Sequence, residues 1–385
     1  MTGSRTEGPA GETVPFTRPV VPTLEALTPL LEGVWARGVF TNGGPLERRL
    51  EDALSATLDW PGTRVTASGS AALRLLCAAL DLDGEVVVPS FTHAATVQAV
   101  VAAGLEPVFA DVEPTGLTVD PASAAALIGQ RTSAVLATHT LGHPADVQGL
   151  QQVADHAGVA VLYDAAAAVG VRYGGRALPA YGHGSAVSFH ATKLLCLVEG
   201  GAVVSGNDAV LERATALRNF GMRPTGHADP RGTNGKSNEI LSAVGLLALD
   251  GLAAEIAGRG ERVEAYLARL STSAAVTFPA VRALTTPNHS YCCVRLRGPD
   301  GEPLAQAVDD FLHRHGIESR RYFAGRFTVP PQGHGAPRAD ALRADLLCLP
   351  LWGTMSVDIL DRVCDLVLRG LAEALSSREV PAGPD

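Results

Sequence analysis

The chain has 385 residues, of which 46% are hydrophobic and 18% charged, with a net charge of −9. That composition excludes a disordered chain, and the negative balance argues against a general binder of nucleic-acid backbones. Aromatic residues make up 5%, too sparse for a platform that stacks the bases of a single strand.

The opening, MTGSRTEGPAGETVPF, lacks the apolar core of a secretory signal and reads as a flexible tail over residues 1–14. No run approaches the ~20 apolar residues that span a bilayer. A helical pattern covers 24–57, broken by a turn at 41–45. Strands are then predicted at 65–67, 85–89, 107–110, 134–138, 159–163, 186–189 and 202–205. Helical segments open between the first five of them at 69, 96, 121 and 147. This βαβα alternation implies an α/β fold with a mainly parallel sheet covered by helices. Val86, Val87 and Val88 are apolar without alternation, as in a strand buried on both faces. A long helical stretch is predicted at 234–267, then a smaller α+β domain. That domain has a strand at 291–296, a helix at 304–313, a short exposed helix at 338–344 and a last helix at 357–375. The expected division is a large domain at 15–265, a small one at 266–375 and a tail at 376–385.

Six cysteines, at 77, 196, 292, 293, 348 and 364, form no C-x-x-C pair. They read as buried free thiols in a reducing cytoplasm. His139 and His143 read as loop contacts rather than metal ligands, and His313 and His315 as helix-end residues. No metal site is expected. Residues 333–337 read as a loop.

Ligands of parallel sheets bind beyond the carboxyl ends of the strands, and three strand ends carry suggestive groups. Lys193 follows the strand at 186–189 and precedes Leu194, Leu195, Cys196, Leu197 and Val198. An isolated lysine is ordinarily a solvated surface group, but an apolar setting lowers its pKa and makes it a nucleophile or base. Asp164 ends an apolar strand. It is either the cap of a helix opening at 165 or a carboxylate poised to pair with a pyridinium nitrogen. Ser68-Gly69-Ser70-Ala71 is either an ordinary helix start or a cradle for phosphate. It is no Walker A loop and lacks the further glycines of a dinucleotide fingerprint. A phosphorylated pyridine aldehyde needs a phosphate cradle, a strand-end acid and a lysine together, which makes pyridoxal phosphate the candidate cofactor.

Over residues 15–375 the chain resembles the DegT/DnrJ/EryC1/StrS family, the fold-type-I aminotransferases of nucleotide-sugar biosynthesis. The matching stretches are FTNGGPL at 40–46, SGSAAL at 68–73, VPSFTHAAT at 88–96, PVFADVEP at 107–114 and DAAAAVG at 164–170. They continue with SFHATKLLCLVEGG at 188–201, RNFG at 218–221, GTNGKSNE at 232–239, RRYF at 320–323 and CLPL at 348–351. The resemblance implies that Lys193 carries the cofactor and shuttles the proton, and that Asp164 keeps the ring nitrogen protonated. It implies that Gly69, Ser70 and Ser188 bind the phosphate and that His93 stacks on the ring. Asn234 is implied to reach the phosphate in a neighbouring subunit, hence a homodimer with shared active sites. Asn42, Arg321 and Tyr322 become candidates for substrate contact.

The implied reaction is amination of a nucleotide-linked keto-6-deoxyhexose, with glutamate or glutamine as donor; SFHATK and GTNGK resemble the branch that makes 4-amino-4,6-dideoxy or 3-amino-3,6-dideoxy hexoses on dTDP. No nucleic acid or membrane partner is expected. The Ala- and Gly-rich, Lys-poor composition hints at an antibiotic pathway. Three stretches depart from the family pattern. Ala167 stands where the family carries Gln or His against the cofactor's phenolic oxygen. Ser237-Asn238 replaces Met-Ser, and Ala324-Gly325-Arg326 replaces Pro-Leu-His. Competing readings are a sugar dehydratase, a silent regulator or scaffold, and an aminotransferase acting on a cyclitol or other ketone. The dehydratases replace the lysine with histidine, which Lys193 opposes. Ala167 alone favours the silent reading.

Overall fold

Helices α1 (Leu24–Arg37) and α2 (Pro45–Leu58) precede the alternating region. There follow β1 (Thr63–Thr66), α3 (Gly69–Ala79), β2 (Glu85–Pro89), α4 (Ala94–Ala102), β3 (Glu106–Ala110) and α5 (Pro121–Leu127). Next come β4 (Thr132–Thr138), α6 (Val147–Ala157), β5 (Ala160–Asp164), β6 (Gly184–Ser188), β7 (Gly201–Val204) and α7 (Asp208–Arg218). The computed structural model describes residues 13–222, 226–325 and 335–377. Most of both predicted tails, Arg326, and Gly333 and His334 of the predicted loop lie outside the described residues.

The seven strands form one sheet in the order β1-β7-β6-β5-β4-β2-β3. β6, β5, β4, β2 and β3 are parallel, and β7 runs against both β6 and β1. β1 is therefore parallel to β6, and the carboxyl ends of β1, β2, β4, β5 and β6 open on one edge. Both faces are dry. Val87, Val135, Val161 and Val187 join the core on one side, while Val86, Val88, Leu136 and Leu162 join the core on the other. That is why these strands read as unbroken apolar runs.

A single 32-residue helix, α8 (Glu239–Leu270), links this body to the next. Its start serves α2, whose N-cap Gly44 has no side chain to offer. The N–H groups of Leu46 and Glu47 donate instead to the Glu239 carboxylate, at 3.1 and 2.8 Å. A carboxylate at a helix start also opposes the helix dipole. Among the described residues α8 is the one helix long and apolar enough to cross a membrane. Here its faces pack on both domains, and it carries a buried ion pair, Arg259 Nε to Glu255 Oε1 at 2.6 Å.

The smaller body contains β8 (Val276–Thr277), β9 (Cys292–Leu296), α9 (Ala305–Arg314), α10 (Pro337–Asp345), β10 (Leu346–Leu349) and α11 (Val357–Ser376). Its antiparallel sheet runs β8-β9-β10. All six cysteines are free and buried, and neighbouring Cys292 and Cys293 belong to different apolar clusters because alternate strand residues face opposite ways.

The expected division after residue 265 falls inside α8, whose Ala248 and Leu252 belong to the large core and Tyr266 and Leu270 to the small one. Two expectations change. Residues 14–16 join the small domain rather than a tail or the large domain. Val14 pairs in parallel with Ile317, and the Phe16 N–H donates to Glu318 Oε2 at 3.1 Å. The helix expected to be exposed at 338–344 is α10, which buries Ala339, Leu342 and Asp345. Arg295 and Arg297 converge on Asp345, and Arg338 meets Asp111 and Asp120 of the large domain at 3.1 and 2.9 Å.

Candidate active site

Start at the end of β1. Ser68 is extended, and its Oγ accepts the Ala71 N–H at 3.1 Å, which caps α3. The N–H groups of Gly69 and Ser70 find no protein acceptor among the described residues. A side chain at 69 would place its Cβ 2.8 Å from Ser188 Cβ, so only glycine lets α3 begin against the end of β6. Two free N–H groups at a helix start, beside the Ser188 hydroxyl, make an anion cradle.

At the end of β5, Asp164 is buried. Its Oδ2 accepts from Thr96 Oγ1 at 2.7 Å and its Oδ1 from the Ala166 N–H at 3.1 Å. No helix follows, because the chain turns at once and Gly170 takes φ 77°. The helix-cap reading of Asp164 is thereby corrected: it caps a turn with one oxygen and keeps the other in a hydroxyl network. Behind it the Thr92 hydroxyl lies 2.8 Å from those of Thr96 and Thr138.

Past the end of β6, Lys193 Nζ donates to Tyr291 Oη at 3.2 Å and lies 5.7 Å from that ring's centroid. Burial lowers the Lys193 pKa, against the opposing pull of Tyr322 and Asp164, while the Arg320 charge lowers it further. Burial also raises the Tyr291 phenol to about 12. Burial thus disfavours the charged form of both partners. His93 caps α4, its Nδ1 accepting the Ala95 N–H at 3.1 Å, while the ring borders the same space. Burial depresses its pKa, Asp164 opposing and Lys193 reinforcing, so the ring is neutral.

These groups surround one cavity of about 450 Å³. Gly69, Ser70, His93, Asp164, Ser188 and Lys193 line it from the large domain, and Tyr291, Arg320, Tyr322 and Phe323 from the small one. A wider depression of about 950 Å³ opens at the opposite edge of the sheet, around Gly84, Thr132 and Ala160, and contains none of them.

Three candidates lie elsewhere. Arg321 turns away, donating to Gln306 Oε1 and to the Arg343 carbonyl. Arg320 lines the cavity in its place. Asn42 and Asn234 are exposed on this chain's surface, outside the cavity. They share that surface region with a backbone bridge between Thr41 and Asn238. Ala167 borders the cavity without a polar side chain, and its carbonyl accepts from Asn288 Nδ2 at 2.9 Å and Ser290 Oγ at 3.2 Å.

His139 stacks on Tyr163 at 4.5 Å, and its Nδ1 accepts the Ala145 N–H at 3.2 Å. Burial holds His139 near pKa 3 and His143 near 4, below their ordinary 6.5. Unfolded chains take up these protons below pH 6.5 and the folded protein does not. Stability contributed by each neutral ring is thus complete above pH 6.5 and lost toward pH 3–4, by about 1.4 kcal/mol per pH unit. Urea midpoints at pH 7.5 and 5 are expected to differ accordingly, with a smaller difference in His139→Gln.

The model of the DegT/DnrJ/EryC1/StrS aminotransferase family matches residues 24–368. The chain belongs to this family. The aminotransferase is 31% identical to the dTDP-4-amino-4,6-dideoxy-D-glucose transaminase of Shigella dysenteriae, across 91% of this chain and 97% of that one. It is 36% identical to the erythromycin biosynthesis sensory transduction protein EryC1 of Saccharopolyspora erythraea, across 83% and 88%. It superposes on the solved structure of DesI in the presence of its TDP-sugar product with TM-score 0.90 and 33% identity, covering 96% and 97%. The aminotransferase thus has the fold-type-I architecture expected from its sequence.

Sequence reasoning missed Tyr291 in the aminotransferase's small-domain wall and did not separate Arg320, which lines the cavity, from its neighbour Arg321. A signal existed for Arg320. In an extended segment, residues two apart share a face, so the neighbour of candidate Tyr322 on the cavity side is Arg320 and not Arg321.

Proposed function

We propose that this enzyme uses pyridoxal phosphate to convert dTDP-4-keto-6-deoxy-D-glucose into the 4-amino sugar, with glutamate or glutamine as donor. The observation that carries the reading is one cavity holding free helix-start N–H groups, a buried carboxylate and a buried lysine. Those groups fit the cofactor's phosphate, pyridine nitrogen and aldehyde in turn. When bound, the cofactor supplies a carbonyl for amine capture and a cationic ring that takes up electrons from the deprotonated carbon.

The protein's share follows from the geometry. Gly69, Ser70 and Ser188 hold the phosphate. Asp164, fixed by Thr96, keeps a proton on the ring nitrogen. Lys193, its pKa lowered by burial, takes a proton from the substrate carbon and returns it at the other end of the shift. Tyr291 accepts an N–H from the free amine and fixes its direction. His93 presents a flat neutral ring to the cofactor. The silent reading gains nothing from Ala167 while these groups stand in place. The dTDP carrier rests on the SFHATK and GTNGK segments, and the choice of C4 over C3 on the Shigella relative.

The protein acts as a homodimer in this reading, with Asn234 completing the partner's phosphate site. Trp35, Phe40, Phe220 and Met222 are 41–60% exposed on this chain, a burden that a second copy would relieve. Cofactor should therefore tighten self-association, and Asn234→Ala should weaken cofactor retention about tenfold by removing one charge-assisted hydrogen bond. Sedimentation of cofactor-free and loaded protein at several concentrations checks this; a stable loaded monomer refutes it. A cytoplasmic location is supported by the six free thiols.

The substrate is tested by incubation with glutamate and either dTDP-4-keto-6-deoxyglucose or its 3-keto isomer, with products identified by mass and NMR. The 4-amino sugar is expected. Product from the 3-keto isomer alone would move the amination to C3. Cofactor reduction without any sugar product would point to another ketone, such as a cyclitol.

A further inference from the structure

Arg320 is the one guanidinium lining the cavity, and among the described residues it has no ion pair. Its guanidinium lies 4.5 Å from the Phe16 ring centroid, and its Nη1 donates to Tyr322 Oη at 3.4 Å. Phe16 is itself fixed against Tyr322, with ring centroids 6.0 Å apart, and against Tyr291 at 6.3 Å. An arginine held over an aromatic ring, with most of its donors unused, suits a planar anion that arrives from outside.

The transamination proposed above brings two anions into the cavity. The amino donor's α-carboxylate hangs on the same carbon as the reacting amine. The diphosphate of the sugar nucleotide lies a hexose ring away from the keto carbon. Arg320 stands at the near position. Lys193 Nζ touches Tyr291 Oη at 3.2 Å, the Tyr291 and Tyr322 rings meet at 5.2 Å, and Tyr322 Oη accepts from Arg320. The charge of Arg320 is also felt at Lys193, where it weakens proton binding.

We propose that Arg320 binds the α-carboxylate of the amino-acid donor and thereby selects α-amino acids over amines that lack a neighbouring carboxylate. This rests on the donor half of the proposed function. Glutamate and glutamine share that group, so the assignment holds for either. Arg321, tied to Gln306 and the Arg343 carbonyl, has no part in it.

The test uses the loaded dimer and compares L-glutamate with its α-amide, isoglutamine, in the donor half-reaction read from the cofactor's visible band. Arg320→Gln should lower kcat/KM for glutamate about 100-fold and change that for isoglutamine less than about 3-fold. Affinity for glutarate, an unreactive dicarboxylate, should fall about tenfold by calorimetry. The half-reaction with the keto sugar should lose much less than the glutamate half-reaction, and Arg320→Lys should restore part of the glutamate rate. Equal losses for glutamate and its α-amide overturn the assignment, as does a loss confined to the sugar half-reaction. If glutamate reduces the wild-type cofactor and Arg320→Gln loses nothing, this assignment alone fails. If no amino acid reduces it, the proposed function fails as well.

Discussion

Lys193→Ala should remove the visible absorption of the loaded protein and lower transamination about ten-thousand-fold or more, since nucleophile and proton shuttle are lost together. The chain makes the assignment unusually open to chemistry, because it has only two lysines, Lys193 and Lys236. Lys236 Nζ donates to Asn219 Oδ1 at 2.9 Å and lies outside the cavity. Borohydride reduction and peptide mapping therefore have two possible outcomes on a lysine side chain. A pyridoxyl label on Lys193 supports the role given to it, and a label on Lys236 ends it. The variant should fold. Removing a buried amine whose charged form is disfavoured leaves Tyr291 with its neighbours and no stranded charge.

Asp164→Asn is expected to keep the fold and lose about 10²–10³ in kcat, the scale seen when one electrostatic partner of a transition state is removed. Asp164 accepts two hydrogen bonds, from Thr96 Oγ1 and the Ala166 N–H. An asparagine keeps the second through its amide oxygen. Its NH2 can donate to Thr96 Oγ1, and the Thr92–Thr96–Thr138 hydroxyls can rotate to suit. What the amide cannot do is hold a proton on a pyridine nitrogen, so the electron sink weakens while the scaffold stays. Steady-state rates beside thermal melts separate the two effects. Near wild-type turnover would reduce Asp164 to the cap of a turn.

Much of this arrangement was legible before any coordinates. The unalternating strands at Val86–Val88 and before Asp164 declared a sheet buried on both faces. Groups at the ends of such strands share an edge by topology, which is why Gly69, Asp164 and Lys193 could be read together. The other wall was hidden for a physical reason. Phe16 meets Tyr291 and Tyr322 through tertiary packing of segments about three hundred residues apart, and no local period records that contact. The short helix α10 looked exposed because its arginines and aspartates read as solvated, whereas Asp345 is buried under Arg295 and Arg297.

The pairing of residues 14–16 with the small domain has a consequence for the order in which the molecule is assembled. Val14 is made well before its partners, Ile317 and Gly316, which emerge about three hundred residues later. Contacts of such long separation form last, after loop closure has been met elsewhere. The large sheet can condense while the ribosome is still translating, but the floor beneath Arg320 cannot, because Phe16 must wait for the carboxyl-terminal third. The cradle and the lysine wall are thus early structures, and the wall that faces them is set only when the two distant parts of the chain meet.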